Sequence, residues 1–210
     1  MNTQDNHQIL KTGTTGLAFR YRDGVIVAAD KRVTAGYIVG KNIEKIHMLQ
    51  KNVGMAISGS VSDAMSLVDL LRAELKLYNY DHGYLASVKS TATLLGLICH
   101  NGFRSLMFYW VQLIVAGVDQ DGPQLYSIDP SGAVNKDNYM VIGSGSLFSL
   151  SKIEDGWKEG MTKEEAKALA KQALSLSISR DLYTGDGMDF YFITKEGLQK
   201  ETITLKLKEV

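Results

Sequence analysis

Helix-like segments occur in two pairs along this chain, and a block of strand-like segments precedes and follows each pair. The first pair is predicted over residues 62–77 and 84–99, and the second lies between the strand-like sequences YMVIGSGS and DFYFIT. Helix pairs that alternate with blocks of antiparallel strands are typical of layered folds, because the apolar face of each sheet needs a cover. The order therefore predicts an α+β chain with two stacked sheets and helices outside both.

Local signals support this order. The Asp23-Gly24 turn between TGLAFRYRD and GVIVAADKRV indicates a hairpin, and SLMFYWVQLIVAGVD is predicted to form one or two buried strands. Ser62 or Asp63 is placed to cap the first helix, and Thr162-Lys-Glu-Glu165 is a capping-box pattern for the last one. The apolar residues with helical spacing in the first helix are Met65, Leu67, Val68, Leu71 and Leu75.

Composition excludes several functional classes. Among 210 residues, Lys and Arg number 23 and so do Asp and Glu, so no net charge attracts nucleic acid or an anionic membrane. No apolar run is long enough to span a bilayer, and residues 1–13 lack the apolar segment of a secretory signal. Cys99 is the only cysteine, which excludes an intramolecular disulfide. We expect a cytoplasmic protein that binds neither nucleic acid nor membranes.

Common cofactor motifs do not fit the chain. The loops SGSVS, GSGS and TGDGMD are rich in small residues, but none continues as a P-loop and none has the dinucleotide fingerprint. No Gly-x-Ser-x-Gly sequence anchors a serine triad. Metal-ligand spacing is absent among the histidines, which are His7, His47, His82 and His100. The sequence therefore predicts neither a metal nor an organic cofactor.

The stretch LKTGTTGLAF is either a polar turn or a cleavage site, with Gly13 the last residue removed and Thr14 a new N-terminus. The sequences that follow favour cleavage. TTGLAFRYRDGVIVAADKRVTAG, MAISGSVSDA, VAGVDQDGPQLYSIDPSGAV, IGSGS and RDLYTGDGMD occur in the order seen in proteasome β subunits. The chain thus resembles that family along essentially its whole length, and GDGMD resembles its archaeal members.

The resemblance implies a role for particular residues. It places the nucleophile on Thr14 and the oxyanion-hole glycine on Gly59. The lysine of the family falls on Lys45 if one residue is missing from the loop AGYIVGK, and Lys41 is the competing choice. The remaining residues of the implied catalytic set are Asp30, Arg32, Ser144, Asp181 and Thr184.

A substrate pocket is expected beside these residues. Its apolar character predicts cleavage after hydrophobic side chains. The expected lining is Val33, Thr34, Ile43, Ile57 and Val61, with His47 and Met65 near it.

The resemblance also implies an architecture and partners. The fold would be the four-layer αββα sandwich of N-terminal-nucleophile hydrolases, with residues 1–13 a propeptide removed by autocleavage and residues 14–210 a single catalytic domain. The expected function is a threonine endopeptidase of the 20S proteasome core. Its partners would be a heptameric homo- or hetero-ring of β subunits, an α-subunit ring, an ATPase unfoldase and unfolded protein substrates. The alternatives are a non-catalytic structural β subunit and an amidohydrolase that acts on a small molecule.

Overall fold

The computed structural model describes residues 13–205, and this range contains the predicted succession of strands and helix pairs. The helices are α1 (Val61–His82), α2 (Val88–Arg104), α3 (Ser146–Gly156) and α4 (Lys163–Arg180). The strands are β1 (Thr15–Tyr21), β2 (Gly24–Asp30), β3 (Val33–Thr34), β4 (Ile38–Gly40), β5 (Ile46–Gln50), β6 (Val53–Gly59), β7 (Val111–Asp119), β8 (Gly122–Ile128), β9 (Val134–Lys136), β10 (Tyr139–Gly143), β11 (Gly187–Thr194) and β12 (Leu198–Thr204).

Two five-stranded antiparallel sheets form the centre of the molecule. The first has the strand order β10-β1-β2-β11-β12 and the second has the order β5-β6-β7-β8-β9, while β3 and β4 form a separate two-stranded sheet. Helices α3 and α4 cover the first sheet, and α1 and α2 cover the second. The predicted four-layer αββα sandwich is confirmed.

The position of β2 explains why its sequence is apolar without a break. Successive side chains of a strand point to opposite faces of its sheet. Ile26 and Ala28 pack beneath α4, whereas Val25, Val27 and Ala29 pack against the second sheet. Because both faces of β2 are covered, every residue of the strand is buried.

The first two helices differ from their predicted bounds. Ser60, rather than Ser62 or Asp63, caps α1 by accepting the backbone N–H of Asp63 at 3.4 Å. The helix continues to His82 and ends at Gly83, whose φ of 77° is the left-handed conformation that glycine adopts at helix ends. Helix α2 then begins at Val88, beyond the predicted start at Tyr84. The capping box of Thr162 and Glu165 at the start of α4 is present as predicted.

One predicted apolar strand is shorter than its sequence suggests, and the end of another lies outside the described residues. The stretch SLMFYWVQLIVAGVD forms one strand, β7, because residues 105–110 are a loop in which Leu106 has a φ of 59°. The last predicted strand, ETITLKLKEV, is described only as far as residue 205, and its residues 206–210 lie outside the described range. No helix within residues 13–205 is both long enough and apolar enough to cross a membrane.

Four segment ends meet at one edge of the sandwich. Hydrogen bonds connect the start of β1 to the end of β2, through Thr15 and Asp30. Others connect Thr14 to Ser144, directly after β10, and Ser144 to Asp181, at the end of α4. The residues that the sequence predicts as a site come together here.

Candidate active site

Thr14 lies at the beginning of the first sheet and is 7% exposed. Its hydroxyl donates a hydrogen bond of 2.8 Å to the carbonyl oxygen of Gly13, the residue before it. The backbone N–H of Gly13 donates to Thr34 Oγ1 at 3.2 Å. The Thr14 hydroxyl, which is the candidate nucleophile, is therefore in contact with the peptide bond between Gly13 and Thr14.

Gly13 is in a position that no larger residue fits. A Cβ atom built on Gly13 would lie 1.8 Å from the Cβ of Tyr183 and 2.9 Å from Ser144 Oγ. The contact with Tyr183 is far inside van der Waals distance, and a Cβ cannot rotate away. Sequence reasoning missed Tyr183, since nothing in its local sequence places it against residue 13.

Asp30 and Lys45 form an ion pair inside the protein. Lys45 Nζ lies 2.7 Å from Asp30 Oδ1, and the two side chains are 3% and 0% exposed. The same carboxylate also accepts backbone N–H groups from Thr15 at 2.9 Å, Arg32 at 3.0 Å and Gly185 at 2.9 Å. Asp30 thus receives four hydrogen bonds, and it joins β1 and the loop after α4 to Lys45.

Burial lowers the pKa of the Lys45 ammonium, and the nearby Asp30 carboxylate opposes that decrease. Lys41, the competing choice from the sequence, is exposed in the same loop. Within residues 13–205, the lysine that contacts Asp30 is Lys45.

Ser144, Asp181 and Thr184 form a hydrogen-bonded chain on the other side of Thr14. The N–H of Thr14 donates to Ser144 Oγ at 3.3 Å, and Ser144 Oγ donates to Asp181 Oδ2 at 2.6 Å. Thr184 Oγ1 donates to the same Asp181 oxygen at 2.6 Å and lies 2.8 Å from Thr15 Oγ1. Thr15 is a further member that sequence reasoning missed, although its place beside Thr14 was a signal.

Arg32 lies at the edge of this group. Its guanidinium pairs with Asp186, through distances of 2.7 and 3.3 Å, and donates to the carbonyl of Leu182 at 2.9 Å. The hydrogen bond that Arg32 donates to Asp186 raises the pKa of Arg32. The Arg32 side chain therefore stabilises the loop that carries Thr184. Its hydrogen bond to Asp30 is made by the backbone N–H and not by the guanidinium. Asp186 was also missed, although it belongs to the segment TGDGMD.

Gly59 ends β6 and lines a cavity next to Thr14. Its φ of 104° is strained for residues with a Cβ, and a Cβ here would lie 2.2 Å from the carbonyl oxygen of Trp110. Glycine is therefore required at this position by backbone conformation and by space.

The cavity beside Thr14 encloses about 70 Å³ and extends from Lys45 to the first turn of α1. It brings together most of the predicted pocket residues. Thr34 is not among them; its hydroxyl oxygen instead accepts a hydrogen bond from the backbone N–H of Gly13. His47 also lies outside the lining, and among residues 13–205 its buried Nε2 atom has no hydrogen-bond partner. The lining residues are Gly13, Thr14, Val33, Ile43, Glu44, Lys45, Ile57, Ser58, Gly59, Ser60, Val61, Ala64 and Met65.

A second buried ion pair lies behind the site. Lys31 Nζ is 2.8 Å from Asp189 Oδ2, with side chains 9% and 1% exposed, and Thr202 donates to the other oxygen of Asp189 at 2.6 Å. This pair joins the end of β2 to β11 and β12. Sequence reasoning did not identify it, because its members are far apart along the chain. In the described part of the chain, no cluster of three or more His, Cys, Asp or Glu residues is arranged to hold a metal.

Comparison with known proteins gives a consistent result. The profile of the proteasome subunit family matches residues 10–193. The chain is 40% identical to a proteasome subunit beta of Haloferax volcanii, over 90% of this chain and 76% of the relative. It is 36% identical to the proteasome subunit beta of Methanopyrus kandleri, over 89% and 90% of the two chains. Identity to proteasome subunit beta 1 of Thermococcus onnurineus is 39%, over 93% and 97%.

Proposed function

This chain belongs to the proteasome subunit family, and we propose that it is a catalytic β-type subunit whose nucleophile is Thr14. Its activity is that of a threonine endopeptidase acting on unfolded proteins inside the 20S core. Two observations support the proposal together: Thr14 lines the same cavity as Lys45, which pairs with Asp30, and the Thr14 N–H donates to Ser144, which is bonded to Asp181.

The first step is removal of residues 1–13 as a propeptide. The Thr14 hydroxyl, which already contacts the carbonyl group of Gly13, attacks its carbon. The Gly13–Thr14 amide bond breaks as an ester forms, and the hydroxyl proton passes to the released Thr14 amine. Water then hydrolyses the ester, which leaves a carboxylate on Gly13 and restores the Thr14 hydroxyl.

The released amine supplies the base that a threonine hydroxyl requires. An α-amine has an ordinary pKa of about 8, so near neutral pH an appreciable fraction is free to accept a proton. Pairing of a threonine with its own N-terminal amine is an established form of the nucleophile–base arrangement. The buried Lys45 ammonium favours the ionised hydroxyl and disfavours a protonated amine. Ser144, hydrogen-bonded to Asp181, orients the amine.

Substrate binding follows from the cavity. The Gly59 N–H is assigned to the oxyanion, and a donor of this kind contributes about 3 kcal/mol to transition-state stabilisation. Val33, Ile43, Ile57 and Val61 give the cavity an apolar lining, so the preferred cleavage sites follow hydrophobic residues. A preference for acidic residues in peptide assays would contradict this assignment.

The proposed assembly is the one that the family resemblance implies. Copies of this chain, alone or with other β subunits, form a seven-membered ring that stacks on an α-subunit ring. An ATPase delivers unfolded substrates, and the particle works in the cytoplasm. No metal or organic cofactor enters the proposed reaction, since the base and the nucleophile both belong to Thr14.

The test measures the intact mass of the assembled chain before and after treatment with a threonine-directed epoxyketone. We expect loss of residues 1–13, followed by addition of one inhibitor molecule to Thr14. The Thr14→Ala variant, assembled with wild-type partner subunits, should retain residues 1–13 and take no inhibitor. A wild-type chain that keeps Met1 in active particles, or takes no inhibitor, would instead be a non-catalytic structural subunit.

A further inference from the structure

The segment that carries Lys45 has no regular secondary structure of its own. Residues 41–45 connect β4 to β5, so their position depends on contacts with other parts of the chain. The N–H of Ile43 donates to the carbonyl of Lys31 at 3.1 Å, and the carbonyl of Lys45 accepts the N–H of Ile57 at 3.0 Å. These two backbone bonds flank Glu44.

Glu44 connects this segment to the first sheet. Its carboxylate oxygen Oε1 accepts a hydrogen bond from the hydroxyl of Tyr191 in β11 and another from the ammonium of Lys200 in β12. Tyr191 and Lys200 are directly opposite each other on the paired strands. Lys200 Nζ also lies 5.0 Å from the centre of the Tyr191 ring. Two residues of the sheet therefore hold one side chain of the loop.

Tyr191 provides a rigid point of attachment. Its side chain packs in the core between the two sheets and is 3% exposed. Burial, together with the hydrogen bond to Glu44, raises the pKa of Tyr191 to about 12. The phenol is therefore protonated at neutral pH and donates its hydrogen bond to Glu44.

The residues on both sides of Glu44 face the active site. Ile43 and Lys45 line the cavity together with Thr14 and Gly59. A lysine ammonium sits at the end of a flexible four-carbon chain, so its position depends on where the backbone places that chain. The Asp30 carboxylate fixes the far end of the lysine, and the Glu44 side chain helps to fix the backbone beside it.

We propose that Glu44 is a positioning residue, which sets the location of Lys45 and Ile43 relative to Thr14 through its bonds to Tyr191 and Lys200. The inference rests on the proposed function, in which Lys45 assists Thr14. The contribution is to rate rather than to stability. Lys200 and Glu44 side chains are 42% and 48% exposed, and ion pairs with such exposure contribute little to folding.

The experiment compares Glu44→Ala, Glu44→Gln and Tyr191→Phe in assembled, processed particles. The readouts are the maximal rate of Thr14 labelling by an epoxyketone, kinact, and the inhibitor concentration at half-maximal rate. Glu159→Gln is a matched control, because Glu159 is exposed in a turn outside the site and the change removes the same charge.

We expect Glu44→Ala to lower kinact about tenfold or more, since small misplacements of catalytic groups have effects of this size. In Glu44→Gln the amide oxygen can still accept a hydrogen bond from Tyr191, so its kinact should lie between those of wild type and Glu44→Ala. This variant tests the inference even if Glu44→Ala fails to assemble. Tyr191→Phe should also reduce kinact, and its effect should not add to that of Glu44→Ala because the two residues share one contact. The control should match wild type.

Hydrogen exchange of the assembled particle gives a second, activity-independent readout. The Ile43 amide should exchange about tenfold faster in Glu44→Ala than in wild type, because loss of the anchor opens the segment more often. Equal exchange, or a Glu44→Ala kinact within about twofold of wild type, a difference below 0.5 kcal/mol, would overturn the inference. Failure of wild-type labelling would refute the proposed function instead, and hydrogen exchange would still decide whether Glu44 holds the segment.

Discussion

Breaking the Asp30–Lys45 pair should lower the free energy of unfolding by an amount that depends on which partner is removed. Lys45→Met leaves the Asp30 carboxylate with three backbone N–H donors, from Thr15, Arg32 and Gly185. Asp30→Asn leaves the Lys45 ammonium, 3% exposed, without the negative charge that balances it. The asparagine also presents an NH₂ group where a carboxylate oxygen accepted hydrogen bonds.

Removal of one partner from a buried ion pair costs about 3–5 kcal/mol. The cost of Lys45→Met should be near the lower value, because three N–H donors still compensate the charge of Asp30. The cost of Asp30→Asn should be near the upper value. The double variant should cost less than the sum of the two, with a coupling of about 2 kcal/mol, because the residues are in direct contact. Labelling of Thr14 should be lost in all three variants.

The free energy of unfolding is measured by urea titration at one protein concentration, with fluorescence of Trp110 and Trp157 as the signal. Lys41→Met is the matched control, because this exposed lysine in the same loop should change stability by less than about 0.5 kcal/mol. The reasoning is refuted if Lys41→Met costs as much as Lys45→Met. It is also refuted if Asp30→Asn costs no more than Lys45→Met.

The pH dependence of Asp30→Asn gives a further check on this prediction. Loss of the Asp30 charge removes an effect that raises the pKa of Lys45, so burial lowers that pKa further. The folded variant then binds fewer protons than the unfolded chain at pH values below the ordinary lysine pKa of about 10.4. Its stability should therefore rise, relative to wild type, as pH increases toward that value. A constant difference between the two proteins would contradict this account.

Three other results are expected. Gly13→Ala should slow loss of residues 1–13, as measured by intact mass, because its Cβ would lie 1.8 Å from Tyr183 Cβ; Tyr183→Gly in the same chain should partly restore processing. Burial raises the pKa of Cys99 to about 11, so a thiol reagent at pH 8 should modify it only after denaturant is added, and rapid modification of the native protein would contradict its burial. Burial and Asp23 raise the pKa of Tyr21 to about 12, so the folded state holds a proton that the unfolded chain releases above pH 10. Stability should therefore fall above pH 10, and less steeply in Tyr21→Phe; equal slopes in urea titrations would refute this.

The site combines two hydrogen-bonded groups with different tasks. The Asp30–Lys45 pair places the positive charge of Lys45 in the interior, at the cavity that Thr14 also lines. The hydrogen-bonded chain from Asp181 through Ser144 ends at the backbone nitrogen of Thr14. In the proposed reaction the first group acts on the nucleophilic oxygen and the second on the nitrogen that becomes the base.

The amino-acid sequence alone determined the order of the elements and the class of the fold. The signals that predicted these elements are local: unbroken apolar runs, the helical spacing in α1 and the capping box of α4. Local signals are sufficient to predict a helix or a strand when one whole face of it must be buried. The order of the motifs was equally informative about the family, because the matching segments extend from Thr14 to Asp189. Helix ends were less predictable: several serines offer caps near residue 60, and packing selects among them.

Only the tertiary structure decided which side chains meet. The way the loop packs on the end of β2 buries Lys45 against Asp30 and leaves Lys41 exposed. The sequence left both lysines as alternatives, because the loop is one residue shorter than the family pattern. The partners of Arg32 and Glu44 lie 154 and 147 residues away along the chain, at Asp186 and Tyr191. Such contacts depend on how two sheets and their connecting loops stack. Local sequence carries no information about that arrangement. The residues of the candidate site could therefore be named from the sequence, whereas the contacts that hold their surroundings in place could not.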